Sequence, residues 1–225
     1  MRELTLPCER IREADRLAVE RFAMPSVLLM ENAARNAANM LVSFGLPPRT
    51  IVCCGRGANG GDGFCMARHL QRMGSEVTIL LAAEESSIQG DAAINLAIAK
   101  AAGILIVDGR FDSELSRLDR LSNSDWIVDA LLGTGARGSP RPPYDELIRR
   151  MNASPARRLA VDVPSGLDAD LGVLGEPTVR ADVTVTFFAR KLGFDREQAR
   201  AVLGQFFVVD IGEPAALRSL FESDG

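Results

Sequence analysis

The stretch Gly55-Arg56-Gly57-Ala58-Asn59-Gly60-Gly61-Asp62-Gly63, entered from the apolar run Thr50-Ile51-Val52-Cys53-Cys54, constrains this chain more than any other. Five glycines in nine positions permit positive φ and let a ligand approach the main chain closely. Beyond them Gly63, Met66, Ala67, Leu70 and Met73 recur at i, i+3, i+4, i+7, the spacing of a helix face. The expected unit is a buried strand, a glycine loop and a helix. Its loop stands at a strand's carboxyl end, where the amides of the loop and the helix start form a site for phosphate or another anion.

Gly55, Gly57 and Gly60 satisfy G-x-G-x-x-G, and Glu84 and Glu85 follow the next strand at about the distance of a ribose-binding acid. Alone this is a weak signal, and a plain strand-to-helix turn is the competing reading. Asp62 argues against an ordinary dehydrogenase, because it sets a carboxylate where the helix dipole favours pyrophosphate.

With 225 residues the chain suits one α/β domain, residues 1–225, able to bury roughly 70% of the surface of its unfolded form. A net charge of −4, with both signs interspersed, gives no electrostatic reason to expect nucleic acid or an anionic membrane. None of the four cysteines, Cys8, Cys53, Cys54 and Cys65, has a zinc-type spacing. Free buried thiols in a reducing cytoplasm are expected, with Cys53 and Cys54 on opposite faces of their strand. Met1 to Arg12 carries charge and no apolar core of a signal peptide. The apolar stretch from Ala92 to Val107 is interrupted by Lys100 and Gly103 and is too short to span a bilayer.

Ile11, Ala14, Leu17, Ala18 and Phe22 predict a first helix, and Pro25 opens a second, apolar on most faces from Val27 to Leu41. Within it Glu31 and Asn32 either reach a cleft or cap backbone groups and face solvent, the second being the reading preferred. Later strands are expected at residues 76–81, 104–107, 126–132, 158–163, 182–188 and 206–211, with helices at 89–102 and 144–151. Strands and helices alternate and the strands are almost uninterruptedly apolar. The expected fold is a Rossmann-like three-layer α/β/α sandwich with a mostly parallel sheet of about seven strands.

In such a sheet, ligands bind outside the carboxyl ends of the strands. There the sequence sets Asn59 and Asp62, then Asp129 before Gly133-Thr134-Gly135-Ala136-Arg137-Gly138, then Asp162 before Pro164-Ser165-Gly166. Lys191 offers a cation at one more strand end. Carboxylates late in apolar strands are expensive to desolvate unless paired, so a cation or a hydroxyl-rich ligand is implied, although such acids also cap helices and loops. Asn59, Asp129 and Ser165 offer only hard oxygens, suited to an alkali or alkaline-earth ion and unsuited to zinc. Asp168 and Asp170 lack the rest of a calcium loop and read as a solvated turn. His69, the only histidine, is expected on the outer face of its helix and is a poor acid or base.

Taken together, Gly55-x-Gly57-x-Asn59-Gly60-Gly61-Asp62-Gly63 with Ala67-Arg68-x-Leu70, Val128-Asp129-Ala130-Leu131-Leu132-Gly133-Thr134-Gly135 and Val161-Asp162-Val163-Pro164-Ser165-Gly166-Leu167-Asp168 resemble the NAD(P)H-hydrate epimerase family, also called the YjeF N-terminal domain. The helix Pro25-Ser26-x-Leu28-Leu29-Met30-Glu31-Asn32-Ala33 is similar to that family's N-terminal signature, and the likeness runs from about Asp15 to Lys191. Three positions depart from the pattern: Ala58 where a second asparagine is common, Arg56 within the loop, and Arg190 where proline is usual.

The resemblance implies an isomerase that interconverts the R and S forms of hydrated NADH or NADPH for a separate stereospecific dehydratase, in the cytoplasm and as a homodimer. It implies K+ held by Asn59, Asp129 and Ser165. It implies the hydrated dinucleotide held by Ala58, Asn59, Gly60, Gly61 and Asp62, by Gly133, Thr134, Gly135, Ala136, Arg137, Gly138 and Ser139, and by Asp162. Asp162 is the expected acid–base group, since a cleft near other carboxylates suits that task, with Lys191 as its partner. No fused dehydratase segment is recognised, so epimerisation without dehydration is expected. The alternatives are a non-catalytic nucleotide-binding or scaffold module of the same fold and an NAD-dependent dehydrogenase.

Overall fold

The computed structural model describes residues 4–222. The first three residues of the stretch expected to lack a signal peptide, and the last three of the chain, lie outside them. In order the elements are β1 (Thr5–Leu6), α1 (Cys8–Phe22), α2 (Ser26–Ser43), β2 (Arg49–Cys54), α3 (Ala58–Met73), β3 (Glu76–Leu81), α4 (Gly90–Ala101), β4 (Leu105–Asp108), α5 (Asp112–Asp119), β5 (Trp126–Ala130), α6 (Tyr144–Ala153), β6 (Arg157–Val161), β7 (Val183–Phe187), β8 (Arg190–Lys191), α7 (Glu197–Leu203), β9 (Gln205–Val209) and α8 (Ala215–Glu222).

Seven strands form one sheet in the order β4-β3-β2-β5-β6-β7-β9, with every neighbouring pair parallel. A parallel sheet covered on both faces needs apolar side chains in both directions, which explains the unbroken apolar runs. In β2, Val52 and Cys54 enter the core shared with α1, α2, α3, α4 and α8, whereas Ile51 and Cys53 enter the core shared with α5 and α6. Each fully buried Val or Ile there contributes about 1.5–3 kcal/mol. The alanines Ala33, Ala34, Ala37 and Ala38 of α2 are all buried and keep that helix close to the sheet. All four cysteines are buried free thiols. No described helix is long and apolar enough to cross a membrane.

The structure revises the reason for the glycines. None of Gly55, Gly57, Gly60, Gly61 and Gly63 has a positive φ. Nor are they all loop, because α3 begins at Ala58 and takes in the last three. They are needed for close approach: a Cβ on Gly55 would lie 2.0 Å from the Leu131 carbonyl oxygen, and one on Gly60 1.9 Å from that of Gly55. The main chain of α3 thus presses against the ends of β2 and β5. Between those two strands the order of the sheet reverses, which opens a crevice at their carboxyl ends.

Candidate active site

A cavity of about 910 Å³ occupies that crevice, walled by Gly57, Ala58, Asn59 and Asp62 on one side and by Leu131 to Ala136 on the other. Its far end is closed by Asp162, Phe187, Phe188 and Lys191, and α1 contributes Asp15. The first intrahelical bond of α3 runs from the Gly61 amide to the Gly57 carbonyl, 3.1 Å. The earlier amides at the helix start have no partner within the helix and face an incoming anion.

Asp162 follows β6 with φ of 66°, and the Val163 amide reaches back to the Val161 carbonyl at 2.8 Å, so Asp162 is the centre of a γ-turn in the left-handed region. After β7 the same turn recurs around Phe188, φ 63°, with the Ala189 amide 2.6 Å from the Phe187 carbonyl. Such residues cost on the order of 1–3 kcal/mol each and persist where the surroundings hold them. The first turn aims the Asp162 carboxylate into the cavity. The second folds the chain back so that Lys191, wholly buried in β8, extends Nζ to within 2.7 Å of Asp162 Oδ1. Lys191 Nζ also donates to the Phe187 carbonyl at 3.1 Å, and Thr186 Oγ1 donates to Asp162 Oδ1 at 3.1 Å.

Two more carboxyl groups share this cavity. Asp62, one turn into α3, is half-buried; burial, reinforced by the charges of Asp162 and Asp15 and opposed by Lys191, holds its carboxyl well above the usual range. Asp15 is open to cavity water yet hemmed by protein, and burial, then the Asp162 charge, pushes it up to about 6 against the pull of Lys191. Nothing in the sequence singled out Asp15. Its helix was legible as amphipathic, but not which chemistry its polar face confronts.

Beneath the cavity wall Asn59, Asp129 and Ser165 come together, although they lie on α3, in β5 and after β6. Ser165 Oγ donates to Asp129 Oδ1 at 2.6 Å and its amide to Oδ2 at 2.7 Å, while Asn59 Nδ2 donates to the Leu132 carbonyl at 3.1 Å. Asn59 Oδ1 is buried without a hydrogen-bond partner among the described residues. Burial pushes Asp129 up to about 6, against the hydrogen bonds from Ser165 and the Leu131 amide. The orphaned Asn59 oxygen, on a side chain joined through the Leu132 carbonyl to the Ser165 hydroxyl and so to buried Asp129, completes an all-oxygen donor set whose chemistry fits a hard cation.

The other expected residues divide between the cavity and its surroundings. Gly133, Thr134, Gly135 and Ala136 line the cavity, whereas Arg137, Gly138 and Ser139 do not. Arg137 pairs with Asp168 at 3.3 Å and Asp170 at 3.0 Å and holds the loop from outside, and Ser139 Oγ accepts the Glu176 amide. Asp168 and Asp170 therefore form an ion-paired turn rather than a solvated one. Gly60 and Gly61 are packed behind the wall. Glu84 lines the cavity beside Arg110, 3.0 Å away, whereas Glu85 turns to Lys100.

His69 corrects the expectation of an outward face: it is 5% exposed, with Nε2 2.9 Å from Glu31 Oε1. Because α3 is covered by α2 and α4 as well as by the sheet, few of its positions face solvent. Glu31 neither caps backbone nor lines the cavity but gathers Arg68, Cys65 and His69, while Asn32 does cap backbone, donating to the Ile211 carbonyl at 3.1 Å.

A family model described as "YjeF-related protein N-terminus" matches residues 26–193. A Rhodopirellula baltica protein named NAD(P)H-hydrate epimerase is 46% identical over 96% of this chain and 87% of its own length. Its namesake in Pirellula staleyi is 42% identical over 92% of this chain and 91% of its own length. A Hyperthermus butylicus protein named bifunctional NAD(P)H-hydrate repair enzyme Nnr is 42% identical over 83% of this chain, which spans 34% of it. The crystal structure of yeast ynu0 shares the fold, with a TM-score of 0.80 over 98% of this chain and 93% of that one at 20% identity.

Proposed function

This chain belongs to the family of YjeF-related protein N-termini and works as an isomerase that interconverts the epimers of hydrated NAD(P)H; we propose that it does so in the cavity between β2 and β5, with Asp162 and Lys191 at the reacting carbon. The observation that carries the residue assignment is the 2.7 Å contact between Asp162 and Lys191 at the cavity's inner end. The α3 amides and the loop from Gly133 to Ala136 hold the dinucleotide's phosphates and orient the ring.

The reacting carbon bears both a hydroxyl and the ring nitrogen. Protonating the hydroxyl lets water leave to a nitrogen-stabilised cation, and water returns to either face. Asp162 exchanges the proton, while Lys191 and Thr186 fix its carboxylate in place. Asn59, Asp129 and Ser165 would hold K+, which supplies a fixed positive charge beneath the phosphate-binding wall.

As partner we assign a separate stereospecific dehydratase acting on the product epimer, in keeping with relatives whose name is bifunctional. We further propose a homodimer in the cytoplasm, with neither nucleic acid nor membrane bound, a reading supported by the family likeness, the mixed charge and four free cysteines. The test is incubation with separated hydrate epimers, followed by chromatography over time, with and without potassium. Interconversion is expected. Binding without interconversion would turn the reading to a nucleotide-binding scaffold.

A further inference from the structure

Loss and return of water makes a demand on both faces of the ring, and Asp162 can serve only one of them. The same cavity holds a second carboxyl group suited to the other face. Asp62 projects into it from α3 and has neither a hydrogen-bond nor an ion-pair partner among the described residues, whereas Asp162 is tied to Lys191, Thr186 and the Phe187 amide. The Asp62 carboxyl faces the cavity, free to meet a bound ligand. The two acids also arrive on different elements, Asp62 from the helix after β2 and Asp162 from the turn after β6, and both line the crevice in which the ring would lie.

Carboxylates that share a confined site with a single ammonium do not all ionise together. Lys191 is committed to Asp162, while burial and the neighbouring Asp162 and Asp15 charges hold the Asp62 carboxyl well above its ordinary range, so Asp62 is the acid placed to deliver a proton.

We propose that Asp62 is a second catalytic residue, forming with Asp162 an acid–base pair that works on opposite faces of the hydrated ring. This rests on the epimerase reading of the same cavity. In one direction the Asp62 carboxylic acid gives its proton to the hydroxyl oxygen, the carbon–oxygen bond breaks, and water leaves as the ring nitrogen's electron pair forms a carbon–nitrogen double bond. A water on the other face then adds to that carbon, the electron pair returns to nitrogen, and the water's surplus proton passes to the Asp162 carboxylate. One water departs and one arrives, nothing is oxidised or reduced, and a proton has moved from Asp62 to Asp162. The reverse conversion runs with the roles exchanged. Cavity water, which also reaches Asp15, resets the pair between turnovers in the same direction.

Two measurements test this. In water enriched in oxygen-18, the wild-type protein converting one separated epimer of NADPH hydrate is expected to place one solvent oxygen in each molecule of product at early times. Retention of the original oxygen overturns the proposal. Asp62→Asn is expected to lower kcat about 100-fold or more in both directions, with Asp62→Glu recovering part of the rate. A folded Asp62→Asn that keeps more than a tenth of the wild-type kcat overturns it as well. Failure of the wild type to interconvert the epimers would instead count against the epimerase reading itself. Should Asp62→Asn not fold, Asp62→Ser, which also lacks the acid, is read by the same kcat criterion.

Discussion

Lys191 reaches Asp162 from beneath the cavity floor, 2.7 Å from Nζ to Oδ1, with the lysine side chain wholly buried and the aspartate side chain 15% exposed. The two halves of this pair are therefore not equivalent. Asp162→Asn strands an ammonium in the interior and is expected to cost about 3–5 kcal/mol, more than any relief at its strained backbone. Lys191→Met leaves a carboxylate that still meets cavity water and Thr186, so a smaller loss is expected. Urea denaturation of both variants gives the ranking, and epimerisation is expected to fall in each. A larger loss for Lys191→Met would contradict this account.

The orphaned oxygen of Asn59 leads to a test that needs no substrate. Potassium is expected to raise Tm at constant ionic strength relative to tetramethylammonium, corresponding to about 2.7 kcal/mol when its concentration is 100 times Kd. Asn59→Ala is expected to abolish the rise while leaving the fold intact. Equal Tm values in the two salts would remove the cation from the mechanism.

The glycines before and within α3 are separable by what their missing Cβ would meet. Gly60→Ala would drive a carbon to 1.9 Å from the Gly55 carbonyl, with backbone on both sides, and is expected to destabilise by about 3 kcal/mol or more. Gly57, at φ −90° with open space around it, is expected to accept alanine at a cost of about 1 kcal/mol or less, as the helix cap weakens. Denaturation midpoints of the two variants make the comparison.

Glu31 couples stability to acid pH. Burial raises its pKa, but the hydrogen bonds from Arg68, Cys65 and His69 outweigh it and bring it from 4.5 down to about 2. Folding thus favours the ionised form, so this contribution is complete above pH 4.5 and disappears as pH falls towards about 2. Glu31→Gln is expected to be less stable at neutral pH and to show a flatter decline over that window, as followed by circular dichroism. An unchanged slope would show that the cluster does not favour ionised Glu31.

The seven strands of the sheet were legible because a sheet buried on both faces writes itself as continuous apolar runs, as in Thr50 to Cys54 and Trp126 to Ala130. The ends of those strands were less so, since β5 stops at Ala130 where the apolar pattern runs on to Leu132. Helices α5, α7 and α8 are too short for periodicity to stand out, and β1 and β8 hold two residues each. Asn59, Asp129 and Ser165 were readable as a group because each stands at or just beyond a strand end near glycine. Asp15 and the partners of His69 were not, because periodicity separates the faces of a helix without telling which neighbour each face will meet. The glycine motif was visible while its cause was not: the tight contact with Leu131 depends on a strand far along the chain.

The crevice between β2 and β5 results from strand order and exists whatever side chains surround it, whereas Asp162 and Lys191 come from the next strands outward. On the proposed reading the acids reach the ring from both sides of that crevice, Asp62 from α3 and Asp162 from beyond β6, so the reaction draws on both halves of the architecture. A descendant that lost Asp62, Asp162 and Lys191 together would still have the crevice, so silent relatives of such a catalyst lie few substitutions away.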